Sequence, residues 1–388
     1  MTTVAFDPYD PAVQDDPFPL YEVLRRDHPL WRDPDDRFWV ITRYEDVRHA
    51  LQSHETYSNT GGIILGTDVE SAPPSMVLMD PPEHTRLRNL VSRAFTPRRV
   101  AAFEDALRES IDEFIDGFAS LDEVDLVPAF ADLVPVRAIS DIIGVPREER
   151  EQFRAWADDM IGAPQSDAGI TAMLDCFTYF SAALAERATT PRDDMLTAMA
   201  EAQIDDERLS LEEQVGMVLL LFFAGIETTV FHMTNLAYEL GAHPEIQQRL
   251  RDDPSLIPSA AEEVLRFDAP VQGDIRTLRH DVELHGQTMR EGDVVLVVLG
   301  AANRDPDVFE DPEVLDIARA PNPHLSFAQG VHFCLGAPLV RLEQRIALER
   351  LLERVPPFRL RDDGVRRRHL HGPFMRGLEA VPVTFERP

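Results

Sequence analysis

The chain has 388 residues and a formal net charge of −31, and all 38 of its basic residues are arginine. That balance speaks against nucleic-acid binding, which needs a positive surface to displace counterions. Exclusive use of arginine fits a GC-rich coding sequence, while the acidic excess is also what a salt-adapted surface carries. With 44% hydrophobic residues there is ample material for a large core, and two cysteines cannot build a disulfide framework.

The first 16 residues are acidic and poor in apolar side chains, unlike a signal segment. Residues 37–42, R-F-W-V-I-T, read as a strand, and 60–74, rich in Gly, Ser and Pro, as a loop. From about 82 to 354 helical periodicity dominates. Ser210-Leu211-Glu212-Glu213 has the form of a capping box, and the apolar run behind it continues to Leu240, with Gly241 and His243-Pro244 as the stop. That is a helix of roughly 30 residues, ~45 Å long. The longest uncharged apolar stretch in it, 215–226, is too short to cross a bilayer. Residues 281–299 alternate in strand fashion about a His285-Gly286 turn, Asn303 to Pro306 reads as a plain turn, 337–354 is an amphipathic helix, and 380–385 ends the chain in strands. No linker, repeat or low-complexity tract interrupts this, so 1–388 reads as one mainly α domain with a smaller β region. The protein is expected to be soluble, cytoplasmic and monomeric.

Two places look chemical. Cys334 lies in Phe327-Ala328-Gln329-Gly330-Val331-His332-Phe333-Cys334-Leu335-Gly336, just ahead of the 337–354 helix. A helix start favours the anionic thiolate, Gly330 suits a tight turn, and Gly336 removes bulk where a flat cofactor might lie against the backbone. One sulfur suits neither a zinc site nor an iron–sulfur cluster, whereas haem needs a single axial thiolate. An inert buried cysteine is the competing reading, and the residues alone leave both open. The second place is Ala224-Gly225-Ile226-Glu227-Thr228-Thr229, where an acid and two alcohols interrupt an apolar helix. Glu227 must be paired or functional there, and the Thr228 hydroxyl can bond back to the carbonyl of Ala224.

The spacing F-x-x-G-x-H-x-C-x-G resembles the haem signature of the cytochrome P450 family, and the resemblance runs from about Pro17 to Val383. Bacterial members usually carry glycine where this chain has Ala328. The resemblance implies the family's mainly α fold with a long helix over haem b, Cys334 as the only protein ligand to iron, and Cys176 as dispensable. It implies O2 as co-substrate and Glu227 with Thr228 as the acid–alcohol pair that delivers protons. His84 and Arg88, in Pro82-Glu83-His84-Thr85-Arg86-Leu87-Arg88, match its propionate-binding H-x-x-x-R, and Arg276 and His332 match its other two propionate positions. Glu263 and Arg266 form an E-x-x-R pair, common on exposed helices, which in this family joins a third residue, here Arg319, in a buried structural network.

On that likeness the chain is a monooxygenase acting on a small hydrophobic organic substrate. Ile63, Ile64, Met76, Val77, Phe223, Val271, Gln272 and Ile275 are the expected pocket walls. They do not choose between terpene, steroid, polyketide, fatty acid or aromatic. No flavin or nicotinamide fingerprint is present, so electrons are expected from a ferredoxin and its reductase. Arg86, Arg93, Arg98, Arg99, Arg341 and Arg345 would form the docking patch, or else a self-neutralised solvated face in which Glu343 interleaves with the last two. Two other classes compete: a peroxide-driven haem-thiolate enzyme, whose specialised members replace the acid–alcohol pair with arginine and proline, and a non-enzymatic haem sensor or carrier.

Overall fold

A computed structural model describes residues 4–386 apart from 66–68, 70–73, 93–94, 163–165, 205–206, 362–363 and 368–373. Part of the 60–74 loop and Arg93 therefore lie outside the described residues. The organising element is the helix Leu211–Ala242, 32 residues long. Its capping box is formed as the sequence predicts: Ser210 Oγ accepts from the Glu213 N–H at 3.1 Å, and Glu213 Oε2 accepts from the Ser210 N–H at 2.9 Å. The stop differs in its cause. Gly241 is still helical and serves close packing, since a Cβ there would meet the Leu360 side chain at 2.9 Å. His243 is the C-cap, and Pro244 opens the next helix, Pro244–Asp252, in the first turn where its missing N–H costs nothing.

Both this helix and Asp167–Thr189 are long and apolar enough by composition to cross a membrane. In the central helix 67% of the apolar window is buried in protein, against 28% in the other. A helix that is apolar all round belongs in a core, and Leu133–Ile143, Asp167–Thr189 and Ile257–Phe267 enclose it. Contact is close: a Cβ on Gly225 would meet Ile139 Cδ1 at 3.0 Å. Phe153 packs edge-on against Phe222 at 5.2 Å between ring centres, extending the core outward.

The larger sheet has five strands in the order Leu30–Arg32, Trp39–Ile41, Val294–Val297, Asp274–Leu278, Tyr57–Ser58. Trp39–Ile41 is the predicted 37–42 strand, shortened, and it pairs parallel to Val294–Val297. The hairpin Val282–Leu284 with Gln287–Met289 turns on His285 and Gly286, at φ 49° and 75°, the left-handed pair a tight hairpin demands. A smaller sheet joins Phe358–Leu360, Pro382–Phe385 and Glu123–Asp125. Its third strand gives no apolar signal in the sequence and is held by antiparallel pairing to Pro382–Phe385. The helix Ala337–Arg354 has the predicted bounds. Between its start and the middle of the central helix lies a cavity, flanked by the helix Glu83–Val91.

Candidate active site

The loop ahead of Ala337–Arg354 is built to present Cys334. Its N–H bonds to Phe327 O at 2.8 Å, and Gly330 closes the turn at φ 68°. A Cβ at Gly330 would also lie 2.8 Å from Leu51 O, so glycine is required twice over. Ala328 is held at φ 55°, the conformation that suits the glycine usual at this position. Asn303 clamps the loop from outside, accepting from the Leu325 N–H at 2.7 Å and donating to Ser326 Oγ at 2.8 Å. The 303–306 segment is therefore more than the plain turn expected. Asp305 also accepts from the Tyr44 N–H at 2.8 Å, and the Arg304 guanidinium lies 3.5 Å from the centre of the Phe18 ring.

The N–H groups of Gly336 and Ala337 point at the Cys334 sulfur, and Arg88 and Arg341 add positive potential. Burial outweighs all four and pushes the thiol above its ordinary value. The helix start thus does not by itself produce the thiolate that the sequence suggested; a metal ion bound at the sulfur would supply what is missing. A Cβ on Gly336 would meet only that sulfur, at 3.9 Å, so the bulk it avoids is that of something lying in the cavity.

The cavity brings together Cys334, Gly336, His332, His84, Arg88, Thr228, Met76 and Val77. His84 is fully buried with neither ring nitrogen satisfied by protein, and its ring centre is 4.3 Å from that of His332, whose Nε2 is likewise unpartnered. Burial, then His84 and Arg276, hold His332 down to about 3, and burial with Arg88 lowers His84. Arg276 is buried beside Asp274 at 2.9 Å. Two unpartnered imidazoles and the Arg88 guanidinium converge on the cavity, where the two propionates of a haem would accept from them; Arg276, beside Asp274, does not line it. The residues fit the group.

Thr228 Oγ1 donates to Ala224 O at 2.7 Å, as predicted, and faces the cavity. Glu227 is half-buried on the same helix and does not line the cavity. Of the expected pocket walls only Met76 and Val77 do so. Strand alternation sends Ile275 to the opposite face from Asp274 and Arg276, into the cluster around Tyr21 and Phe374. Gln272 turns inward, its Nε2 on Ala269 O at 2.7 Å and its Oε1 against Gly300. Val271 bridges to Met375, Phe223 packs on Phe222, Ile63 O accepts from the Ile275 N–H at 3.1 Å, and Ile64 is exposed. Leu220, Leu221, Ala224, Gly225, Thr229 and Ile139 line the cavity instead. The first five follow from helical spacing about Thr228; Ile139 carries no sequence signal.

Glu263 and Arg266 are both 0% exposed. Arg266 donates to both carboxylate oxygens, at 2.9 and 2.8 Å, and Arg319 Nε adds a bond at 3.1 Å. Three carbonyls, of Asn303, Pro312 and Val314, take the remaining Arg266 protons. This is the expected buried triad rather than a surface pair. The arginine patch fares differently. Arg86 pairs with Glu213, Arg341 with Glu262, and Arg345 with Glu104 and Glu349. Three of the six arginines are thus neutralised by acids, Glu343 not among them, since it is buried; Arg98 and Arg99 are exposed.

The family model for cytochrome P450 matches residues 170–368. Cytochrome P450 107B1 of Saccharopolyspora erythraea is 41% identical over 358 residues, covering 89% of this chain and 88% of its own. This chain belongs to the cytochrome P450 family. The vitamin D(3) 25-hydroxylase of Pseudonocardia autotrophica is 40% identical over 379 residues, covering 95% and 93%. The solved structure of PksS from the bacillaene polyketide synthase of Bacillus subtilis superposes with a TM-score of 0.91 at 32% identity, covering 99% of this chain and all of that one. The mainly α fold with a smaller sheet is the cytochrome P450 fold. As a cytochrome P450 the protein is an oxidoreductase of the monooxygenase type, using cysteine-ligated haem b and O2.

Proposed function

We propose that this cytochrome P450 inserts one oxygen atom into a hydrophobic organic molecule, with Cys334 as the axial ligand and Glu227 and Thr228 in charge of protons. The carrying observation is that Thr228 and Cys334 share one cavity in which Met76, Val77, Ile139 and Leu220 supply apolar wall beside the polar His84, Arg88 and His332. Bound haem supplies the oxygen-activating redox chemistry. His84, Arg88, Arg276 and His332 hold its propionates, and Gly336 leaves room for its face. The Thr228 hydroxyl, anchored on Ala224 O, presents its oxygen to the cavity, and Glu227 recharges it through water. The apolar walls exclude bulk water until substrate is in place. A relative named for hydroxylating vitamin D(3) supports a large apolar substrate.

Electrons come from a ferredoxin and its reductase, and the enzyme works as a soluble cytoplasmic monomer. Retention of Glu227-Thr228 favours this over a peroxide-driven enzyme or a haem carrier. In the reconstituted system NADH consumption should rise only when substrate is added. Thr228→Ala should keep haem and substrate affinity while product per NADH falls and peroxide rises, since a positioned proton donor is worth about 10²–10⁴-fold in its step. Full coupling in that variant removes Thr228 from the mechanism.

A further inference from the structure

Two residues of the cavity wall are held in place by side chains that do not line it. Met76 and Val77 lie in a single 3₁₀ turn, Met76–Leu78, whose own backbone bonds run from Leu78 N–H to Ser75 O at 3.0 Å and from Met79 N–H to Met76 O at 3.3 Å. One such turn has no stability of its own, so its position is set from outside. Asn59 supplies the first tie: it is 1% exposed, and its Nδ2 donates to Val77 O at 3.0 Å. Its Oδ1 has no partner. A buried amide with one atom unsatisfied is costly, and the bond to Val77 is the side-chain contact that offsets it.

Asp80, two residues past the turn, is the second tie. It is buried, and its carboxylate accepts from Ser58 Oγ at 2.6 Å, from the Asn59 N–H at 3.2 Å and from Arg279 Nη2. Burial works against the anion, yet the three donors together hold the carboxyl below its ordinary range. Its backbone carbonyl accepts from the His84 N–H at 3.0 Å, at the start of the helix Glu83–Val91. All three donors sit on the edge of the larger sheet. Ser58 pairs with Thr277, a Cβ on Gly61 would meet Thr277 Oγ1 at 2.1 Å, and the Arg279 N–H bonds to Thr56 O at 3.0 Å. A buried carboxylate held by three donors and a counter-charge fixes its neighbours to within hydrogen-bond tolerance.

We propose that Asn59 and Asp80 are positioning residues for the substrate: acting through Val77 and Met76, they fix the wall against which an apolar molecule packs and so decide which apolar groups fit. Such a role rests on the cavity being the substrate site, as proposed above. Neither side chain lines the cavity, and neither belongs to the proton pair or to the propionate donors. The two ties differ in kind. Arg279 is half-exposed where it meets Asp80, so its share weakens as salt is added, whereas the Asn59 bond is buried and neutral.

Imidazoles that ligate the ferric iron of the holoenzyme read the wall without turnover and without a known substrate. 4-Phenylimidazole brings an apolar ring into the cavity, whereas imidazole brings nothing to meet the wall. Titrated by the Soret shift, Asn59→Leu should bind 4-phenylimidazole about 10-fold more weakly, the worth of roughly two methylene contacts. Imidazole affinity, haem content and the ferrous–CO band should stay as in wild type. A purely structural role would move both ligands together or neither, and either result overturns the assignment. In a Val77→Ala background Asn59→Leu should lose most of its effect; full additivity would mean that Asn59 does not act through Val77. Arg279→Gln, at a half-exposed side chain, should shift the ratio of the two affinities the same way by about 3-fold. It decides alone if Asn59→Leu fails to hold haem, and an unchanged ratio in it removes Asp80 from the role. Azole binding needs no proton delivery, so failure here is distinguishable from failure of the Glu227 and Thr228 reading.

Discussion

Glu263→Gln probes the triad that braces the cysteine-bearing loop, and its cost can be worked from the contacts. The substitution keeps the shape but removes the charge facing Arg266, which is 0% exposed. Breaking a buried pair from one side costs about 3–5 kcal/mol, because it leaves the other charge uncompensated. The carbonyls of Asn303, Pro312 and Val314 still solvate the guanidinium, which places the cost near the lower end, about 3 kcal/mol. Arg319→Ala should cost less, about 1.5 kcal/mol, the worth of a charge-assisted hydrogen bond, because Glu263 stays neutralised by Arg266. Replacing both partners, Glu263→Leu with Arg266→Met, should cost less than the sum of the two single changes. Urea unfolding followed by far-UV circular dichroism, with haem content measured in parallel, reads the wild type and all five variants. A Glu263→Gln cost below about 1 kcal/mol, or one smaller than that of Arg319→Ala, would refute the reasoning.

Other outcomes follow from single residues. Ala328→Gly should stabilise the protein by about 0.5–1 kcal/mol in the same assay, relief of the left-handed backbone exceeding the extra entropy of glycine in the unfolded chain. Asn303→Ala should destabilise by about 1–3 kcal/mol and speed haem loss, since it leaves the buried Leu325 N–H unsatisfied. Burial opposes ionisation of Glu262, but Arg341 and His324 prevail and bring it from 4.5 down to about 2. A depressed carboxylate stabilises the fold above its unfolded value and loses that contribution as pH falls through the folded one. The stability difference between wild type and Glu262→Gln should therefore be constant above pH 4.5 and shrink as pH falls toward 2. A difference that grows on acidification contradicts the assignment.

What the sequence made legible was whatever is encoded locally. The capping box at Ser210, the Thr228 bond to Ala224, the His285-Gly286 hairpin and the bounds of 337–354 all depend on residues within a turn of one another, and all are formed. The Cys334 neighbourhood was legible because its motif is contiguous. Substrate walls were not, because they converge from distant elements. Ile139 lies on a separate helix with no motif, and Ile275 was grouped with its sequence neighbours when strand alternation sends it to the other face. Glu343 looked like a surface charge between arginines, but helix rotation places it inside. The thiol's resistance to ionisation was hidden for the same reason: a dipole is read from sequence, and the desolvation that outweighs it is not.

The central claim is that Cys334 alone ligates haem iron, and the ferrous–CO spectrum tests it most directly. Wild type and Cys176→Ala should both show the strongly red-shifted Soret band of a thiolate-ligated haem, since Cys176 is fully buried with its thiol pushed up to about 12. Cys334→Ala should lack that band. Its survival in Cys334→Ala, or its loss in Cys176→Ala, would contradict the account.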